Sequence, residues 1–172
     1  MTNHALTFGV ELEFALAYVP TTQHPHPYPQ EPRTTTFPLS PLVASAFTHQ
    51  KTGEGWRYQH EFAIAQYIKN TLITAGFTTF VEGCADYFDK RVDAWNVKAE
   101  CTIWGPKEGL TRYSWAPVEV VSPAYFFEGE ALGAVREACE VIVSSYWTNT
   151  NETTGLHVHI GNGKRTPISC AQ

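Results

Sequence analysis

The sequence predicts an α+β fold, a largely antiparallel sheet with flanking helices, in a single domain over residues 1–172. Three patterns carry that expectation. Strand-like segments near both ends alternate apolar residues with carboxylates or imidazoles, so each presents one apolar and one polar face. Two intervening stretches place apolar residues at steps of three and four, the spacing of a helix with one buried side. Helices interleave with strands whose acidic and imidazole faces turn the same way, as in a sheet covered on one side.

The first strand is expected over residues 6–17, where Phe8, Val10, Leu12 and Phe14 share one side and Gly9, Glu11 and Glu13 the other. A polar, proline-rich stretch follows, including His24-Pro25-His26-Pro27-Tyr28-Pro29. Proline has no N–H to give a helix interior or a sheet ladder, so residues 20–55 read as an exposed, poorly packed insertion or loop. Beyond it Phe62, Ala65, Ile68, Leu72 and Ile73 fall at helical spacing, with Gly76 as the stop. Residues 77–81, 94–103 and 116–122 read as strands, the last halted by Pro123. A second helix is expected over residues 130–147, its buried stripe being Leu132, Val135, Cys139, Ile142, Val143 and Tyr146. In the last strand, 155–161, Leu156, Val158 and Ile160 face one way and His157 and His159 the other.

Composition narrows the function. An apolar content of 43% is enough for a core. The net charge of −5, with 12 Lys and Arg in no run, argues against binding a phosphate backbone. No segment approaches the roughly 18 apolar residues of a membrane helix. Glu11 and Glu13 interrupt the apolar segment near the N-terminus, so no secretion signal is expected. The expectation is a cytoplasmic protein that engages neither nucleic acid nor membrane. Cys84, Cys101, Cys139 and Cys170 form no Cys-x-x-Cys pair and are expected to be free thiols. The Asn151-Glu152-Thr153 triplet matches a glycosylation acceptor, which is coincidental in that compartment.

Two motifs break the ordinary rules for strands. Glu11-Leu12-Glu13 sets two carboxylates on one face, where they repel unless a cation lies between them. His157-Val158-His159 sets two imidazoles on one face, the geometry of a metal or phosphate site. Either motif alone is compatible with a solvated sheet face; the two together point to a site. Glu119 lies in the apolar run Val118-Glu119-Val120-Val121, where an unpaired ionised carboxylate costs several kcal/mol, so a partner such as a divalent ion is expected. Its alternative is an edge-strand glutamate facing water. Glu100 is a weaker candidate on a mixed strand.

Phe8-Gly9-Val10-Glu11-Leu12-Glu13-Phe14, Trp95-Asn96-Val97 through Glu100-Cys101-Thr102-Ile103, Val118 to Pro123, and Gly155-Leu156-His157-Val158-His159-Ile160-Gly161 resemble, in order, the motifs of the amidoligase family. In the second, Thr102 stands where the family commonly has serine. The family comprises carboxylate–amine ligases related to glutamine synthetase and glutamate–cysteine ligase. The resemblance implies a glutamine synthetase-like catalytic domain on a curved antiparallel sheet, with ATP and two or more Mg²⁺ ions, Mn²⁺ being a possible substitute. It also implies a small-molecule or peptide carboxylate that becomes an acyl phosphate, and an amine that displaces the phosphate. By position, Glu11 and Glu13 would divide between adjacent ions and Glu119 would share the ion of Glu13, with Glu100 assisting. His157 would complete the ion of Glu11, and His159 would donate to an ATP phosphate oxygen. Sites of this kind can be shared between subunits, so an oligomer is compatible with it.

The resemblance further implies a Glu-Phe-Arg-type segment, with another metal ligand and a phosphate-binding arginine, which these residues do not contain. The expectation is therefore a truncated, catalytically incomplete and aggregation-prone chain. Two alternatives stand beside the ligase: a non-catalytic nucleotide- or partner-binding remnant of the fold, and a cupin-type metal enzyme. The cupin arrangement wants a glutamate shortly after the second histidine and a further histidine on a later strand, and neither follows His159.

Overall fold

The structure, a computed structural model, describes residues 6–19, 30–37, 54–81, 93–106 and 113–161. Its spine is β1 (Thr7–Tyr18), in which apolar residues alternate with small or acidic ones from Phe8 to Phe14 and Ala15 to Ala17 are buried on both faces. On one side β4 (Ser114–Val121) runs antiparallel to it, from Glu11 opposite Val121 to Tyr18 opposite Ser114. Beyond Pro123 the short β5 (Tyr125–Phe126) continues along Thr7 and Phe8. On the other side β7 (Leu156–Gly161) pairs with Thr7 to Leu12, and β6 (Thr148–Asn149) with Ala15 and Leu16. Outside β4 lie β3 (Trp95–Lys98), antiparallel to it, and β2 (Thr79–Val81), parallel to β3. The described residues thus form an α+β fold with an open, mostly antiparallel seven-stranded sheet.

Where Pro123 would interrupt the ladder, Ser122 closes it. Val10 N–H donates to Ser122 Oγ at 2.9 Å and Ser122 N–H to Val10 O at 2.8 Å. Two helices, α1 (Glu54–Thr74) and α2 (Gly129–Ser145), cover the apolar face. Phe8, Val10, Phe14, Leu16, Val97, Val118 and Val120 from the strands pack there with Ile64, Ile68 and Leu72 of α1 and Ala138 and Ile142 of α2. Tyr146 sits inside the same core, its hydroxyl 2.5 Å from Thr71 Oγ1. Gly76 ends the turn after α1 at φ +96°, which a side chain would resist. No helix among the described residues is long and apolar enough to cross a membrane.

Three expectations need correction. The strand expected over 94–103 stops at Lys98, because Glu100 Oε1 accepts from Thr102 N–H at 3.1 Å and Thr102 Oγ1 at 2.8 Å and folds the chain into a turn. The buried stripe of α2 is rotated from the expected one. Ala131, Ala138 and Ile142 face the core while Leu132 and Val143 are exposed, since small residues let the helix lie closer to the sheet. Within the proline-rich span, the described residues 30–37 are anchored at Thr35 and Phe37, both buried, while their neighbours stay at the surface. Thr34 bridges to Tyr146, Val19 N–H bonds Thr35 O at 2.8 Å, and Phe37 is buried between Tyr67 and Tyr146. The remainder of the insertion up to residue 53, His24 and His26 included, lies outside the described residues.

Among the described strands β7 is an outer one, and its apolar side is bare. Leu156, Val158 and Ile160 are 63%, 55% and 75% exposed, beyond the cover that α2 gives. Leu156 also lines a groove of about 510 Å³, with Leu12, Phe14, Cys139, Ile142 and Val143 among its other walls.

Burial sets the expected cost of substitution. Leu16→Ala, at a fully buried position, should lower stability by about 2–5 kcal/mol, while Ile160→Thr should change it by no more than about 0.5 kcal/mol. Urea denaturation of the two variants beside the parent checks both. An Ile160→Thr loss as large as that of Leu16→Ala would show that β7 packs against something further.

Candidate active site

The register of the sheet assembles the polar face row by row. Lys98 lies opposite Glu119, and Glu119 opposite Glu13. In the next row Asn96 lies opposite Val121, Val121 opposite Glu11, and Glu11 opposite His157. His159 follows beside Gly9. Since directly opposed residues share a face, Glu11, Glu13, Glu119, His157 and His159 all project from the side away from the helices. Glu100 reaches the same cluster from the turn after β3, where it hydrogen-bonds Glu119.

The cluster divides into two halves. Toward β7, Glu11 Oε2 bonds His157 Nδ1 at 3.0 Å, and Glu11 Oε1 lies 3.1 Å from His159 Nε2. His157 Nδ1 is also 3.6 Å from Glu13 Oε1. Toward β3, Lys98 Nζ is 3.1 Å from Glu119 Oε1. Glu119 is the most deeply placed of these carboxyls, at 3% exposure.

These neighbours shift the acids in opposite directions. Burial pushes Glu11 up, but its bond to His157 and the neighbouring His159 outweigh that and leave it below its ordinary value. The same bond from Glu11, with the nearby charge of Glu13, raises His157. Burial raises Glu119 to about 7; Lys98 opposes this, and Glu11 and Glu100 add to it. Glu100 is also pushed up by burial, yet its bonds to Thr102 bring it below the ordinary range.

Two buried atoms of the cluster remain without a hydrogen bond. Glu119 Oε1 and His159 Nε2 are close to opposite charge, but neither contact has hydrogen-bond direction. Among the described residues no three His, Cys, Asp or Glu side chains are already arranged around a common ion position. The ion pairs explain this, because Glu11 is turned toward two imidazoles and Glu119 toward an ammonium. Gly155 closes the near side of the cluster. Its carbonyl accepts Glu13 N–H at 2.9 Å, and a Cβ there would stand 2.9 Å from His157 Nε2 and 3.0 Å from Glu13 Oε2.

Sequence reasoning passed over Lys98. Its only signal is the period of two in Trp95-Asn96-Val97-Lys98, which sets Asn96 and Lys98 on the polar side. It also missed what positions the two loops beside the cluster. Asn151 Nδ2 donates to Trp104 O at 2.7 Å, while Asn151 Oδ1 accepts Thr153 N–H at 2.8 Å. The amide that matched a glycosylation pattern thereby ties the turn after Glu100 to the turn before His157. Cys139 lies on α2 over the opposite face, and Cys101 Sγ is 3.8 Å from Glu100 Oε1. Cys84 and Cys170 fall outside the described residues.

The raised Glu119 has a consequence for stability. A carboxyl held at about 7 against an ordinary 4.5 favours the folded state fully below 4.5, and that contribution is lost as pH rises through about 7. His157, also raised, loses its contribution in the same sense. With divalent cations removed, the melting temperature should fall across this window, and Glu119→Gln should make the fall shallower. Thermal denaturation of both chains at several pH values checks it; parallel profiles would contradict the raised Glu119.

Residues 4–169 match the sequence profile of a family described as "Putative amidoligase enzyme". No curated protein and no solved structure matches the chain. The matched span includes Glu11, Glu13, Glu100, Glu119, His157 and His159 and nearly the whole sequence. This chain belongs to the amidoligase family.

Proposed function

We propose that the chain joins a carboxylate to an amine at the expense of ATP, using the acidic face of β1 as its catalytic surface and a sheet of the glutamine synthetase kind. One observation carries the reading: Glu11 and Glu13 share a face with Glu119, which is buried beside Lys98. Both substrates of such a reaction, a triphosphate and a carboxylate, are anions. A surface bearing four carboxyls repels them unless cations intervene.

The donors present fit a divalent ion. Carboxylate oxygens with one imidazole suit Mg²⁺ or Mn²⁺, and the cationic groups already set against these carboxyls, Lys98 at Glu119 and His157 at Glu11, mark where positive charge is needed. Glu11, Glu13, Glu119 and His157 would hold it, with Glu100 assisting. When bound, the metal supplies charge neutralisation and in-line orientation for phosphoryl transfer. In this reading the substrate carboxylate takes the γ-phosphoryl group and ADP leaves; the amine then attacks the acyl carbon, loses a proton, and expels phosphate. Glu11 and Glu13 favour the protonated form of His157, so a metal ion at this ring competes with a proton. His159 lies one pleat further along β7 and is placed to donate to a phosphate oxygen. Trp104 and Asn151 hold the adjoining turns together, which keeps Glu100 and His157 on the same side of the cleft.

A second reading, a remnant that binds nucleotide without turning it over, draws on the pairing of the acidic groups within the chain. The cupin alternative falls with the family assignment.

ADP release, followed with Mg²⁺, ATP and a panel of amino acids, peptides and amines, separates these readings. Hydroxylamine added as the amine traps an acyl phosphate as its hydroxamate. The ligase reading expects ADP release that depends on the carboxylate, and a loss on the order of 10²-fold or more in Glu13→Gln, the scale for removing a preorganised electrostatic group. Nucleotide binding with no ADP release under any pair would favour the remnant. A chain with no affinity for nucleotide would contradict both.

A further inference from the structure

We infer that Lys98 supplies one of the cations the acidic face requires, so that the cluster takes a single divalent ion where the carboxylates alone would hold two. The inference rests on the proposed divalent site and goes beyond it, because it concerns how many ions this chain accepts.

The two halves of the cluster carry different kinds of positive partner. On the β7 side Glu11 and Glu13 face imidazoles. A neutral imidazole has a lone pair, so the group that compensates the carboxylates without metal becomes a ligand with it. On the β3 side Glu119 faces the ammonium of Lys98, which has three donors and no acceptor. Lys98 cannot ligate a cation. It can only be displaced by one or stand in its place.

Three features favour its standing in place. Register, rather than a flexible stem alone, sets Lys98 against Glu119, since the residues are directly opposed on β3 and β4. The partner carboxyl is almost wholly buried, so a departing ammonium would leave it exposed to the cost of an uncompensated buried charge. The charge of Lys98 also acts on Glu11 and Glu100, not on Glu119 alone, and so it reaches the middle of the cluster. A divalent ion placed between Glu119 and Glu100 would meet the ammonium of Lys98 within a few ångströms, whereas one placed between Glu11 and Glu13 would meet His157, whose neutral ring can ligate it.

The experiment counts Mn²⁺ ions bound per chain, without nucleotide, by calorimetric titration with electron paramagnetic resonance of free Mn²⁺ as the second readout. The full chain should bind one ion. Lys98→Met should bind two, and Lys98→Arg, which keeps the charge, should bind one. Lys98→Gln, with a polar end, carries the same expectation of two ions should Lys98→Met not fold. Two ions in the parent chain, or one in both neutral variants, would overturn the inference while leaving the ligase reading intact. No bound Mn²⁺ in any of the chains would overturn the inference together with the divalent site on which it rests.

Discussion

Because Phe8, Val10, Leu12 and Phe14 must face the core, Glu11 and Glu13 are forced together on the opposite face of β1, and much of the structure answers their repulsion. A strand with neighbours on both sides gives its side chains little room to splay apart. The register then adds Glu119 directly across from Glu13. Two like charges about 5 Å apart at an effective dielectric of about 20 repel by about 3 kcal/mol, a large share of the roughly 5–15 kcal/mol that holds a domain together. Three responses are visible. Imidazoles from β7 meet Glu11 and Glu13, an ammonium from β3 meets Glu119, and burial raises the Glu119 carboxyl toward its neutral form. Each offsets negative charge on that face.

The same alternation explains why the sheet was legible in the sequence. β1, β4 and β7 each have one side that is apolar without a break, and period-two patterning reports such strands directly. Helix α2 was legible in extent but not in rotation. Its apolar residues outnumber those that a contact needs, and Ala131 and Ala138 won the core over Leu132 and Val143 because a closer approach buries more of the sheet. The packing of Thr35 and Phe37 was hidden by the prolines around them. Composition describes a segment on average, and a single aromatic residue can anchor a stretch that otherwise reads as solvated.

At the site, the carboxylates and imidazoles could be picked out because each violates the strand pattern around it. Lys98 could not. A lysine on the polar side of a strand is ordinary, and its meaning comes only from pairing with Glu119, twenty-one residues later in the chain. Asn151 was likewise unreadable, since its role depends on the turn that Glu100 and Thr102 make in place of the expected strand. Long-range register, not residue type, decides both.

The central claim is that the polar face of β1, and not some other surface, receives a divalent cation. Proton resonances of the histidine rings test it most directly during addition of Mn²⁺, whose unpaired electrons broaden nearby signals. His60 stacks on Tyr18 away from the acidic cluster and serves as the internal reference. The account expects the His157 and His159 ring signals to broaden at Mn²⁺ concentrations that leave His60 sharp. Loss of the His60 signal first, or no selective broadening of His157 and His159, would contradict it.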